Sequence, residues 1–163
     1  MDAPLSSDMT VYAKWNPIEY SIHYELFGGI NDVDNPSSFN IIQEAILINN
    51  PTKEGYTFGG WYQNAEFTTV FDYTNMPAQD ITLYAKWNIN SYTLQFIDID
   101  GSILQNADYE YESDISTVLA PNPTKEGYTF IGWDATLPLV MPANNVTLKA
   151  QYTINQYTIT FDS

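Results

Sequence analysis

The chain has no cysteine, no arginine and one histidine among its 163 residues. Without cysteine it can build neither a disulfide framework nor a thiolate zinc site. Its five basic residues, all lysines, face 20 acidic ones, for a formal net charge of -15. Such a surface has no basic cluster to neutralise phosphates, so nucleic-acid binding is excluded and docking on anionic lipid is disfavoured. His23 has no second histidine with which to share a metal and reads as a strand surface residue. No stretch approaches the roughly 18 consecutive apolar residues of a membrane span, so membrane insertion is not expected. Met1-Asp2-Ala3-Pro4 lacks the basic and apolar regions of a signal peptide, which reads either as a cytosolic protein or as an excised piece of something larger.

What is present is apolar and aromatic. Hydrophobic residues make up 44% of the chain and aromatics 15%, which is enough to bury real cores and too much for a disordered tail. The acidic excess favours solubility and keeps neighbouring copies apart.

The sequence also repeats itself, and this sets the domain count. Pro51-Thr52-Lys53-Glu54-Gly55-Tyr56-Thr57-Phe58 recurs as Pro123-Thr124-Lys125-Glu126-Gly127-Tyr128-Thr129-Phe130, and a Gly-Trp pair follows at Gly60-Trp61 and Gly132-Trp133. Met76-Pro77-Ala78 and Ile81-Thr82-Leu83-Tyr84-Ala85-Lys86-Trp87 come next, matched by Met141-Pro142-Ala143 and Val146-Thr147-Leu148-Lys149-Ala150-Gln151-Tyr152. Met9 to Trp15 repeats the closing segment, and Gln156 to Phe161 repeats the opening segment Ser91 to Phe96 and, more loosely, Glu19 to Tyr24. The organisation read from this is the end of a preceding repeat at 1–15, a complete repeat at 16–89, a second at 90–153, and the first strand of a following repeat at 154–163. The second unit is shorter, and its loss falls between Gly-Trp and Met-Pro-Ala.

Within a unit, Leu83, Ala85 and Trp87 alternate with Thr82, Tyr84 and Lys86, the pattern of a strand buried on one face. Val11, Ala13, Trp15 and Leu148, Ala150, Tyr152 keep that face, and Tyr92, Leu94, Phe96 and Tyr157, Ile159, Phe161 give the opening strand one too. Asp98-Ile99-Asp100-Gly101 reads as a hairpin turn leading into a strand from Ser102 to Gln105. Tyr56-Thr57-Phe58 and Tyr128-Thr129-Phe130 read as strands, with Gly60 and Gly132 marking a bulge or a close approach. Glu112 to Leu119 reads as one short helix, and the matching Ser38 to Ile48 is β-branched and ambiguous.

Taken together, Tyr-Thr-x-x-Phe, Pro-Thr-Lys-Glu-Gly-Tyr-Thr-Phe-x-Gly-Trp, Met-Pro-Ala and Thr-Leu-Tyr-Ala-Lys-Trp resemble the Listeria-Bacteroides repeat, the B repeat of internalin-type surface proteins. The resemblance implies an α+β, strand-dominated fold: small β-grasp-like modules of about four strands and one short helix, strung in an elongated array. All-β modules are the alternative. It further implies an extracellular setting, on a bacterial cell surface or secreted, with no catalytic residues and no cofactor. The second unit departs from the pattern by running directly from Trp133 through Asp134 to Val140 into Met141, and the first by its longer stretch from Ile30 to Asn50.

The main functional reading is a spacer that holds an adhesive or binding domain away from the cell, because the linkers Asn88-Ile89-Asn90 and Thr153-Ile154-Asn155 are short and contain neither Gly nor Pro. The second is direct binding of a host protein or glycan, with Tyr62, Phe67, Phe71 and Tyr73 of the segment unique to the first unit as the contact residues and a local mini-core as their alternative role. A glycoside hydrolase accessory region is the remote third. Glu54 and Glu126 are the only acids inside the repeated motif, sit in an apparent turn, and have no accompanying nucleophile, base and orienter.

Asp98, Asp100 and Gly101 faintly suggest a calcium loop, but the twelfth position counted from Asp98 is Tyr109 and not glutamate, so turn chemistry accounts for them. Trp61, Trp87 and Trp133 recur at fixed places and read as packing residues of small cores. No lysine–asparagine crosslink is expected, because Lys53 and Lys125 sit in turns and Lys86 on an outward face. The incomplete ends are unpaired amphipathic strands, expected to fray, to dock, or to pair weakly with the ends of another molecule.

Overall fold

A computed structural model of the chain describes residues 8–42, 46–74 and 76–162. Among the described residues eight strands follow one another: β1 (Tyr20–Glu25), β2 (Ser38–Phe39), β3 (Tyr56–Tyr62), β4 (Ile81–Ile89), β5 (Ser91–Ile97), β6 (Ile103–Glu110), β7 (Tyr128–Trp133) and β8 (Val146–Ile154). They form two four-stranded sheets of the same order, β2-β1-β4-β3 and β6-β5-β8-β7. In each, the unit's first and last strands lie side by side and parallel in the middle, with Ile22 opposite Ile81 and Leu94 opposite Val146. The outer pairs are antiparallel.

Period-two alternation places the strand residues of the cores, and the connecting segments add Ile48, Phe71, Ile115 and Met141. Ile22, Phe39, Ile48, Trp61, Phe71, Leu83 and Ala85 form the first cluster, and Leu94, Phe96, Ile115, Met141 and Leu148 the second. Leu83 and Ala85 are fully buried, as their alternation with Thr82 and Tyr84 requires. β3 and β7 each break register once, between Phe58 and Trp61 and between Phe130 and Gly132. Gly60 and Gly132 supply the bulges, at φ 113° and 125°. The bulge turns Trp61 inward, where it is 2% exposed. Asp98 to Ser102 closes the predicted hairpin: Gly101 sits at φ 89°, its N–H donates to the Asp98 carbonyl at 3.0 Å, and Asp98 N–H donates to the Ser102 carbonyl at 2.8 Å. β6 runs on to Glu110, beyond the expected end at Gln105, because it pairs with the whole of β5.

The α+β expectation is overturned. Among the described residues there is no helix, and the chain is all-β. The segment expected to be helical shows why. Glu112 adopts φ 60°, outside the right-handed helical region. The Asp114 carboxylate accepts bonds from Ser116 N–H at 2.8 Å and Ser116 Oγ at 2.6 Å, a local turn that competes with helix. The backbone then pairs with 139–141: Glu112 N–H donates to the Met141 carbonyl, Ile115 N–H to that of Leu139, and Met141 N–H to that of Ser113. Ile115 is thereby fixed in the core at 0% exposure. In the first unit, Ser38–Phe39 is strand β2, paired with Tyr20 and Ser21.

The two end segments pair with no strand among the described residues. Val11, Tyr12 and Trp15 are exposed at one end, as are Tyr157, Ile159 and Phe161 at the other.

Candidate functional site

Two surfaces stand out, one where the sheets meet and one on the outer face of the first sheet. At the meeting point, Asn90 alone separates β4 from β5. Its N–H donates to the Gly55 carbonyl at 2.9 Å, its carbonyl accepts Tyr111 N–H at 2.9 Å, and its side-chain oxygen accepts the Thr57 hydroxyl at 2.6 Å. One residue thus ties the turn before β3 to the end of β6. The Tyr111 ring lies on Gly55, where any Cβ would overlap it, and meets the Tyr56 ring edge-on at 6.0 Å. Gly55 is buried there. Burial pushes the Tyr111 hydroxyl above its ordinary pKa, helped by the charges of Glu112 and Glu54.

The repeated lysine is part of the same construction. Lys53 Nζ donates to the Phe27 carbonyl at 2.8 Å and stands 4.2 Å from the Tyr56 ring centre and 6.0 Å from that of Trp87. Lys125 stands likewise 5.1 Å from Tyr128 and 5.8 Å from Tyr152. The lysine in the motif therefore serves as a cation over two rings and not only as a solvated turn residue.

The outer face of the first sheet carries an aromatic ledge. Tyr84 and Lys86 face away from the core on β4, and Tyr62 lies at the end of β3. Phe67 meets Tyr62 edge-on at 5.5 Å and Phe27 at 5.8 Å, Phe27 stacks on Tyr84 at 6.3 Å and 27°, and Lys86 Nζ stands 5.3 Å from the Tyr62 ring. Phe27 and Phe67 both hold left-handed backbone, at φ 48° and 53°, which is strained for a residue with a Cβ.

The four candidate contact residues separate into two pairs. Tyr62 and Phe67 belong to the ledge. Phe71 is 5% exposed within the first core, its N–H donating to the Trp61 carbonyl at 2.9 Å, and Tyr73 packs edge-on against it at 5.0 Å while remaining 41% exposed. The ledge members Phe27, Tyr84 and Lys86 and the joint member Tyr111 were not singled out as site residues from sequence, whereas Asn90 was read as part of the short linker Asn88-Ile89-Asn90. The recurrence of asparagine at 90 and 155 was the available signal for the joint. For Phe27, Tyr84 and Lys86 there was none, because the ledge is assembled from three separate segments.

Among the described residues no cluster of His, Asp or Glu could hold a metal ion, and no helix is long and apolar enough to cross a membrane. Asp98 and Asp100 serve the hairpin: the Asp100 carboxylate accepts bonds from the Ser102 hydroxyl and N–H, which hold its pKa below the usual carboxylate value. His23 is exposed on β1.

A family model described as the Listeria-Bacteroides repeat domain matches residues 20–86 and 92–151. The chain is 43% identical over 145 residues to Internalin H of Listeria monocytogenes, an alignment covering 80% of this chain and 26% of that protein. It is 35% identical over 171 residues to a protein of Evansella cellulosilytica named for an inferred membrane location, covering 97% of this chain and 24% of that protein. A second, Gly-rich protein of the same organism is 35% identical over 168 residues, covering 96% and 19%. The chain therefore spans between 19% and 26% of the length of these relatives.

Proposed function

Since the chain belongs to the Listeria-Bacteroides repeat family, we propose that its two modules are a non-catalytic spacer on a bacterial surface or secreted protein, holding a binding domain at a set distance. The single observation that carries this reading is the joint. A flexible tether would be long and rich in Gly or Ser, whereas here one residue joins two strands and makes hydrogen bonds to both modules. Tyr111 on Gly55 adds an apolar contact across the same junction. Such contacts restrict the angle between modules, so length is kept as modules are added. The boundaries that follow are a module over 16–89 and a second over 90–153. Two of the relatives are named as membrane proteins and the third is Internalin H, which supports a cell-surface setting for this chain.

Small-angle scattering is the test. The expected result is a particle distinctly longer than a single globule of this chain length, whose radius of gyration would be about 15 Å. A compact particle, or one whose profile requires a broad distribution of inter-module angles, overturns the reading.

The aromatic ledge favours a second reading, direct binding of a host protein or glycan by the first module. Two left-handed phenylalanines in one partly exposed cluster are what supports it, because strained backbone concentrates at functional surfaces. The second module replaces Phe27, Tyr62, Tyr84 and Lys86 by Ile99, Asp134, Lys149 and Gln151. Binding on a glycan array that is lost in Phe67→Ala and Tyr62→Ala, with the fold retained, would establish this role. Equal signal from these variants would dismiss it.

A further inference from the structure

The joint around Asn90 is built a second time around Asn155. Asn155 N–H donates to the Gly127 carbonyl at 2.8 Å, and its side-chain oxygen accepts the Thr129 hydroxyl at 2.6 Å. The corresponding distances for Asn90, to Gly55 and Thr57, are 2.9 and 2.6 Å. Each asparagine amide also reaches a tyrosine hydroxyl two residues on, Tyr92 or Tyr157, at 3.4 Å. Gly127 and Gly55 share their backbone geometry, at φ 76° and 74°.

The two places differ in what lies on the glycine. Gly55 is covered by Tyr111, whereas a Cβ on Gly127 would meet nothing within 4 Å. Around Gly127 lies a depression of about 490 Å³ lined by residues that include Pro123, Lys125, Tyr128 and Phe130. Tyr128 is 38% exposed there.

The opposite end of a module carries the matching part. Tyr111 comes two residues after Tyr109, the partner of Tyr92 in the β5–β6 ladder, and Ile41 comes two residues after Phe39, the partner of Tyr20 in the β1–β2 ladder. Ile41 is thus the first module's counterpart of Tyr111, and it is 55% exposed. It lines a second depression with Trp15 and Ile18. Each module therefore offers a glycine seat at one end and a large apolar side chain at the other.

We propose that the surface around Gly127 is a docking seat for another copy of this repeat, which places an aromatic or aliphatic side chain on Gly127 as Tyr111 is placed on Gly55. Asn155 fixes the entry of the chain, and Tyr128 provides the edge-on ring that Tyr56 provides at the first joint. The seat rests on the spacer reading in that a docked copy continues the array at a fixed angle. It goes further in naming the residues that set the angle and in predicting that the seat is portable from module to module.

The test extends the full chain by fusing a second copy of residues 91–155 directly after Asn155, in the register that Ser91 has after Asn90. Spin labels on exposed sites of neighbouring modules report the distance distribution across each joint. The expected result is a distribution across the new joint as narrow as that between the two original modules. Replacing the added copy's tyrosine, the one equivalent to Tyr111, by alanine should remove the narrowness at the new joint and leave the original one unchanged. Gly127→Ala in the extended chain should have the same effect. In the unextended chain it reports only the strain of alanine at positive φ. If the new joint is broad while the original is narrow, the seat is refuted and the spacer reading stands. If both are broad, both fall.

Discussion

One pair of contacting positions, Trp87 with Leu26 in the first module and Tyr152 with Asp98 in the second, differs between the two modules. The Trp87 indole N–H donates to the Leu26 carbonyl at 2.8 Å, and its ring occupies the space beside Gly29, where a Cβ would come within 2.5 Å of Cζ2. In the second module Tyr152 stands at that position and its hydroxyl lies beside Asp98, the counterpart of Leu26. Burial first, and Asp98 second, push it up to about 12. Gly101, the counterpart of Gly29, has nothing within 4 Å of a Cβ position. Gly29→Ala should therefore destabilise the first module by about 1–3 kcal/mol through overpacking, read as a lowered urea midpoint. Adding Trp87→Tyr should recover part of the loss, and no recovery would mean that Trp87 is not the obstacle. A second residue prediction concerns Tyr24, whose hydroxyl donates to the Pro36 carbonyl at 2.8 Å. Burial, then the neighbouring Tyr73, push its pKa up to about 12, against about 10 in an unfolded chain. Because the folded state keeps a proton that the unfolded state loses, this contribution is complete below pH 10 and disappears as pH rises from about 10 to 12. Urea midpoints measured across that range should fall, and Tyr24→Phe should flatten the fall. An unchanged slope in the variant would assign the effect to other groups.

At the scale of elements, strands were legible because alternation and glycine punctuation carry them. The closing strands, the hairpin at Asp98 to Ser102 and the bulges at Gly60 and Gly132 all lie where period two and positive φ demand. The crossover between β6 and β7 was not legible. Glu112 to Leu119 has the length of a short helix, with Ile115 and Val118 at helical spacing, and a sequence does not reveal that residues 139–141 are near enough to pair with it. Asp114→Ala tests this directly. Alanine is the better helix former, yet the substitution removes the bonds to Ser116 and should lower the urea midpoint slightly with no gain of helical circular dichroism. A gain in both helicity and stability would show that the local turn does not decide the segment.

At the scale of the whole molecule, the -15 charge opposes association between copies, while the end segments, which pair with no strand among the described residues, favour it. Val11, Trp15, Ile159 and Phe161 carry the alternation of half-buried strands and are exposed. The expected outcome is weak association that grows with concentration and with added salt, which screens the acidic surface. Removing residues 1–15 and 156–163, while keeping Asn155 for its bonds to Gly127 and Thr129, should leave both modules folded and abolish the association in sedimentation velocity. Association at an unchanged level in the trimmed chain would move its cause to the ledge or to the depression at Gly127.

By itself the sequence determined the repeat, its family and the buried faces of the opening and closing strands, because each follows from local order: a recurring motif, a period of two, a glycine where φ must be positive. Tertiary structure alone decided what depends on distant segments meeting. It turned the expected helix into a paired extended segment, divided Tyr62 and Phe67 from Phe71 and Tyr73, and gathered Phe27, Phe67 and Tyr84 into one ledge. It also set Tyr111 on Gly55. That contact spans a module boundary, and no pattern within a single repeat contains it.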